Sequence, residues 1–303
     1  MIASAAQRAL LPCGRLHFQH GPIDIIIGAT GDGAALETAY EQAWQRFQSI
    51  LSELVAELPA LRCRVQGPCP VVGVIARRMW SACQPYQSSF ITPMAAVAGA
   101  VAHELLPAYE VAGIQRAWIN NGGDIALHLT PGHSLRVGLY PNLESFDVEQ
   151  LENGISLDGH IDIHSTSPVR GIATSGWRGR SFSLGIADSV TVLARTAAEA
   201  DAAATVIANA VNVVDARITR RPANDVKDNS DLGDLLVTVD VPRLKADQID
   251  MALASGLARA LELRSRGLIS SAFLVCQNRV MTTERAITQL ATLHCDHIAT
   301  EAA

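Results

Sequence analysis

Two stretches almost without side-chain bulk constrain this chain more than anything else in it. "ITPMAAVAGAVAHELLPAYEVAG" carries Ala95, Ala96, Ala98, Gly99, Ala100 and Ala102 in close succession, and "RTAAEADAAATVIANAVN" carries Ala200, Ala202, Ala203 and Ala204. In the first, Thr92 is a natural N-cap, Pro93 suits the first helical position, and Pro107 limits the far end. Gly99 inside that helix costs roughly 1 kcal/mol relative to Ala. Such a helix makes sense where another backbone, or a ligand, comes very close. In the second stretch, Thr196 and Glu199 form a T-x-x-E capping box, which starts a helix there and sets Asp201 in its second turn.

Asp201 and Thr205 are four residues apart, so on a helix they share one face. A carboxylate and a hydroxyl are hard oxygen donors of the kind Mg²⁺ accepts. A solvated polar stripe gives the same spacing, but the flanking alanines leave few side chains to shield the pair from a ligand.

Around these helices the pattern is mixed. "GRLHFQHGPIDIIIGATG" reads as a hairpin turning at Gly21-Pro22. Leu36, Tyr40, Ala43, Phe47, Ile50, Leu54 and Leu58 recur every three or four residues, the stripe of an amphipathic helix that Pro59 is placed to stop. Residues 60–90 read as a connection with a short helix. "IQRAWINNGGDIALHL" reads as strand, tight turn and strand. "HSLRVGLYPN" continues the sheet, "GISLDGHIDIHSTSPVRGIATSG" adds two strand-like runs, and "SFSLGIADSVTVLA" adds another. Past residue 213, "DARITRRPANDVKDNSDLGD" reads as a polar surface excursion; a strand, a helix ending at Gly267 and a final hairpin follow. Hairpins mixed with helices favour α+β over a doubly wound parallel sheet. No repeat or composition break divides the chain, so residues 1–285 read as a single compact domain and 286–303 as a C-terminal tail.

Three further constellations could carry chemistry. Asn121-Gly122-Gly123-Asp124 offers paired glycines beside which a ligand can approach the main chain, with Asp124 to take a donor from a heterocycle; a hairpin turn explains the same residues. Thr174, Ser175 and Gly176, followed by Arg178 and Arg180, form a cradle for phosphate or carboxylate, or else an ordinary polar loop. His160, Asp162 and His164 alternate on one strand face, a set able to hold a transition metal or serve as acid and base, though an exposed strand face accounts for it as well. Cys13, Cys63, Cys69, Cys83, Cys276 and Cys295 make no CxxC pair, and no GxSxG, HExxH, P-loop or GxGxxG pattern is present.

Composition narrows the partners. Of 303 residues, 49% are hydrophobic and 18% charged, enough for a substantial core. A formal charge of −6 argues against a nucleic-acid surface, leaving Arg170, Arg178 and Arg180 as the best local basic spot. No run of about 18 apolar residues marks a membrane span, and no secretory leader opens the sequence. Scattered cysteines then point to a reducing compartment, the cytoplasm. The expected partner is a small-molecule ligand, with neither nucleic acid nor membrane; self-association as a homo-oligomer stays open.

Taken in order, "WINNGGDIAL", "GIATSG" and "EADAAATVIANAV" resemble the motifs of the ApbE-like superfamily, whose best-understood members are FAD:protein FMN transferases. The resemblance runs from about residue 90 to 213. It implies an ApbE-like α+β fold, with Asp201 and Thr205 binding Mg²⁺ against the pyrophosphate of FAD or FMN. Asp201 and Asp124 would then stand at the reacting centre, and Asn121, Gly122, Gly123, Thr174, Ser175, Gly176, Arg178 and Arg180 would line the cofactor. The chain departs from the transferases in two places. "MAAVAGAVAHE" lacks their lysine, and "SFSLGIADSV" stands where they carry an H-I-x-D-P-x-T-G segment. It is similar instead to a branch sharing "PMxAVAGAxA" and "TSGWRGRSFSLGxADxV". The functions implied are an enzyme of small-molecule or cofactor metabolism related to FMN transfer, a non-catalytic flavin or nucleotide carrier, or a hydrolase or lyase of a small heterocyclic acid.

Overall fold

Alternating burial shapes the opening strands. β1 (Gln7–Leu10), β2 (Leu16–His20) and β3 (Ile23–Gly31) form an antiparallel meander, with Phe18 opposite Ile25 and Leu16 opposite Ile27 on the covered face. The expected turn at Gly21-Pro22 is present, Gly21 taking a φ of 57°. A computed structural model describes residues 5–12, 14–139, 159–228 and 230–284. Two compact units emerge: Met1–Ala173 with Ala194–Ala202, and Thr174–Leu193 with Ala203–Ala303.

In the first unit, α1 (Gly33–Ala56) lays Ala39, Ala43, Phe47, Ile50 and Leu54 into the core. Phe47 and Trp44 each bring a ring centroid to 5.2 Å from Phe18 of β2. Burying side chains such as Phe47 and Ile50 contributes about 1.5–3 kcal/mol apiece. The helix ends before Pro59, which sits in the first turn of a new short helix, α2 (Leu58–Leu61), where its missing N–H costs nothing. Glu57 accepts the amides of Val72 and Gly73 at 2.7 and 2.8 Å, capping α3 (Val74–Cys83), the short helix expected within 60–90.

The first alanine-rich stretch is not one helix. Pro93–Ala96 forms a 3₁₀ turn, α4 spans Val97–Leu105, and Leu106–Tyr109 forms a second 3₁₀ turn holding Pro107. Glu104 on α4 is clamped by Arg46 of α1 (Nε to Oε1, 2.8 Å) and Arg78 of α3 (Nη1 to Oε2, 2.6 Å). β4 (Ile114–Asn121) pairs with β3 and with β5 (Asp124–Leu129), and β5 pairs with the start of β8 (Gly171–Ser175), all antiparallel. "HSLRVGL" does not extend that sheet. β6 (Ser134–Leu139) pairs with β7 (Gly159–His164) as a separate two-stranded ribbon.

The second unit contains most of β9 (Ser189–Ala194), which pairs antiparallel with β12 (Ser271–Cys276); β12 pairs with β13 (Arg279–Thr282) across a turn in which Gln277 and Asn278 both have positive φ. "SFSLG" is loop and not strand. The polar stretch after 213 carries more structure than its composition announces: β10 (Thr219–Pro222) pairs with β11 (Leu236–Asp240) and is followed by a short helix. Two longer helices are present: α5 (Ala197–Ala210), which begins in the first unit, and, counting that short helix (Ala223–Val226) as α6, α7 (Ala246–Ser265). Gly267 follows α7 with a φ of 70°, the left-handed stop its position forecast. The architecture is α+β, as the hairpin-and-helix pattern required.

Candidate functional site

Asp201 faces inward. Its Oδ2 accepts the Gly99 amide at 3.0 Å, so a carboxylate on α5 satisfies an otherwise orphaned N–H in the first turn of α4. Gly99 is glycine because α5 is so close. A Cβ there would stand 2.5 Å from the Ala197 carbonyl carbon and 2.9 Å from the Ala198 nitrogen. Gly171 on β8 presses on the same turn, and a Cβ on it would strike Thr196 and Ala197 backbone atoms. The bulk-free stretches thus serve backbone contact. Ala200, Ala202, Ala203 and Ala204 are buried and do not line an opening toward a ligand, which corrects the reading that they leave Asp201 unshielded. The start of α5 is as expected, with Thr196 Oγ1 accepting the Glu199 amide at 3.2 Å.

Asp201 also meets a second acid. The NNGGD segment is a two-residue hairpin, Gly122 and Gly123 having φ of 65° and 112°, with Asn121 paired to Asp124 across it. The Asn120 side chain accepts the Gly123 amide at 2.8 Å. Asn121 and Asp124 are both buried; Asn121 Nδ2 donates to the Ala98 carbonyl at 3.1 Å, and the Asp124 side chain is hydrogen-bonded to Asp201. Burial holds the Asp201 carboxyl well above the ordinary carboxylate range, against the pull of the Gly99 amide, Asp124 and the Ala98 backbone. Carboxyl groups in such contact favour a proton shared between them, and a cation can serve in its place. The buried Cys83 thiol donates to the Thr92 carbonyl and is pushed well up by burial and by the Asp201 charge, so it is no nucleophile here.

The residues of "ATSGWRGRS" belong mainly to the second unit and are committed elsewhere. Thr174 shares a hydroxyl hydrogen bond with Thr191 at 2.9 Å. Gly176 is packed against the Asp188 and Ala187 carbonyls, where a Cβ does not fit. Arg178 Nε donates to Asp188 Oδ1 at 2.9 Å, and its guanidinium stacks on Trp177, 4.8 Å from the ring centre. Trp177 Nε1 donates to the same oxygen at 3.2 Å, and the Gln277 amide takes Oδ2. The cradle foreseen from two arginines is therefore largely neutralised on one side, while Arg180 is exposed. Asp188 was missed by sequence reasoning, because nothing local links it to a guanidinium ten residues earlier. Ser175 is half-buried, as is Thr205, one turn beyond Asp201 on α5.

His160, Asp162 and His164 do alternate, outward from the buried Ile163. Asp162 is held by Arg136 at 2.8 and 3.0 Å, which draws its carboxyl below the usual range, and both partners are solvent-exposed. That is the exposed strand face. Among the described residues no group of three or more His, Cys, Asp or Glu side chains is placed to hold a metal ion, so a cation at Asp201 would need hydroxyl, backbone or ligand oxygens as well. No helix among them is long and apolar enough to cross a membrane.

The chain is 38% identical over 138 residues to a UPF0280 protein of Methanothrix thermoacetophila, covering 45% of this chain and 52% of that one. It is 36% identical over 151 residues to a UPF0280 protein of Methanospirillum hungatei, covering 50% and 54%. The chain thus spans about half the length of these curated relatives. The crystal structure of the Pseudomonas stutzeri flavinyl transferase ApbE, apo form, aligns over 96% of this chain and 99% of its own, with 12% identity and a TM-score of 0.46. The family model described as AbpE bacteria matches residues 8–283, so this chain, with its Asp201 helix and GGD hairpin, belongs to that ApbE-like family.

Proposed function

We propose that the protein is an enzyme of small-molecule or cofactor metabolism that binds an anionic ligand, flavin or nucleotide, through a Mg²⁺ ion at Asp201. One observation carries the reading. The Asp201 side chain, on a half-buried residue, makes hydrogen-bonding contact with the buried Asp124 at the first turn of α4, an acidic pair that a cation can bridge. Carboxylate oxygens such as those of Asp201 and Asp124 are the donors a hard cation takes, and Thr205, four residues on in the sequence, is the hydroxyl expected to join them. A bound Mg²⁺ would supply charge neutralisation for a pyrophosphate and polarise its phosphoryl oxygens. The protein's own contribution is orientation. Gly99 fixes one Asp201 oxygen, and Asn121, anchored on the Ala98 carbonyl, holds the GGD hairpin against α4.

A non-catalytic flavin or nucleotide carrier is the second reading, favoured by the commitment of Arg178 to Asp188 and by the absence of the transferases' lysine. One experiment addresses both. Thermal unfolding is followed with Mg²⁺, FAD, and the two together, in the native protein, Asp201→Asn and Thr205→Val, with AMP release measured in parallel. A ligand at 100-fold excess over its Kd adds about 2.7 kcal/mol. Stabilisation by Mg²⁺ with FAD that Asp201→Asn abolishes supports the site, and AMP release separates enzyme from carrier. No response to either ligand in the native protein removes both.

A further inference from the structure

Two neighbouring surface grooves lie wholly within the second unit, where the chain leaves α5. The segment from Asn212 to Ala216 borders two grooves. One, of about 570 Å³, is lined also by Met251, Ala254 and Ser255 of α7; the other, of about 400 Å³, by Asp215, Ala216 and Arg220. Both include Asn212, Val213 and Val214. Both are open surface grooves, not enclosed cavities.

The two grooves differ in chemistry. Val214 is 98% exposed and Met251 62%, two large apolar side chains left uncovered on either side of the first groove. In the second groove, Arg220 is half-buried, and its hydrogen bond is Nη2 to the neutral Asn212 Oδ1 at 2.7 Å. Asp215 does not serve it. The Asp215 oxygens accept the Arg217 amide (2.9 Å), Arg217 Nε (3.0 Å), Arg217 Nη2 (2.7 Å) and Gln248 Nε2 (2.9 Å). Arg217 and Arg220 against Asp215 leave one net positive charge, at a guanidinium whose remaining donors have no carboxylate among the described residues.

We propose that these adjoining grooves, which share Asn212, Val213 and Val214, together bind a small monoanionic acid carrying a short apolar chain. The carboxylate lies against the free edge of Arg220, where a planar guanidinium presents paired donors. The chain runs over Val214 toward Met251 and Ala254. The Asp215 carboxylate beside Arg220 disfavours a dianion such as phosphate. The site is separate from the acidic pair at Asp201, and its test does not depend on that reading.

The probes are hexanoate, hexan-1-ol and inorganic phosphate, titrated into the full chain by calorimetry. Hexanoate is expected to bind about tenfold or more tightly than hexan-1-ol, the worth of one charge-assisted contact, and more tightly than phosphate. Arg220→Gln should bring hexanoate down to the level of the alcohol, Arg220→Lys should restore part of the difference, and Met251→Ser should weaken hexanoate and hexan-1-ol alike. Equal affinity for acid and alcohol, hexanoate binding that survives Arg220→Gln, or no hexanoate binding at all overturns the proposal. Should Arg220→Gln fail to fold, the acid-to-alcohol ratio in the native protein and the Arg220→Lys result decide. Phosphate binding more tightly than hexanoate also refutes it.

Discussion

Replacing Gly99 with Ala sets two effects against each other, and the geometry says which wins. In an exposed helix interior the change stabilises by about 1 kcal/mol. Here the new Cβ would lie 2.5 Å from the Ala197 carbonyl carbon, with the Ala198 nitrogen at 2.9 Å. Carbon atoms settle at about 3.5–4.0 Å, so α4 and the first turn of α5 must part by about 1 Å. Both obstacles are backbone, and no rotamer relieves them. Overpacking of this kind costs about 1–3 kcal/mol. The same movement stretches the 3.0 Å bond from the Gly99 amide to Asp201, and a hydrogen bond to a charged group is worth about 1.5–3 kcal/mol. Net of the helix gain, Gly99→Ala is expected to destabilise by about 2–4 kcal/mol. Urea denaturation followed by far-UV circular dichroism measures it. Gly33→Ala is the control: Gly33 opens α1 with nothing within 4 Å of its would-be Cβ, so that variant should be neutral or slightly stabilised. A Gly99→Ala protein as stable as the native one would refute the claim that backbone contact dictates the glycine.

Two other perturbations probe the same unit. Glu104→Ala removes a carboxylate side chain only 12% exposed, taking it from Arg78 while Arg46 keeps Glu53, and a loss of about 1.5–3 kcal/mol is expected in urea, with Glu104→Gln between it and the native protein. His103 is held below its ordinary value by burial and then by the Arg78 charge, with Glu104 opposing; because the unfolded chain takes up that proton first, stability present above about pH 6.5 drains away as the pH falls toward the lower folded value. Melting curves at pH 7 and pH 5 should therefore show a smaller acid loss for His103→Gln than for the native protein, and identical losses would count against a buried neutral imidazole.

Much of this was readable because it is local. The α1 stripe, the capping residue Thr196, the positive-φ pair at Gly122 and Gly123, and the stop at Gly267 depend on neighbours within a turn or so. What escaped depends on distant partners. Alanine at 95–102 looks the same whether a ligand or the Ala197 backbone is the close neighbour, and only the three-dimensional contact distinguishes them. Arg178 and Arg180 read as a matched pair until Asp188 claims the first. "HSLRVGL" has the alternation of a strand, but alternation does not say which sheet a strand joins. The polar run after 213 hid β10 because Thr219 to Pro222 lacks the apolar periodicity that marks a strand.

The bond between Gly99 and Asp201 has a consequence for how occupancy could be watched. One carboxylate oxygen is shared between a main-chain amide and whatever positive charge approaches it. A cation that draws on that oxygen competes with the amide, and the opening turn of α4 gives up protection in proportion. Hydrogen–deuterium exchange at a single glycine would then register ligand arrival without any label on the ligand.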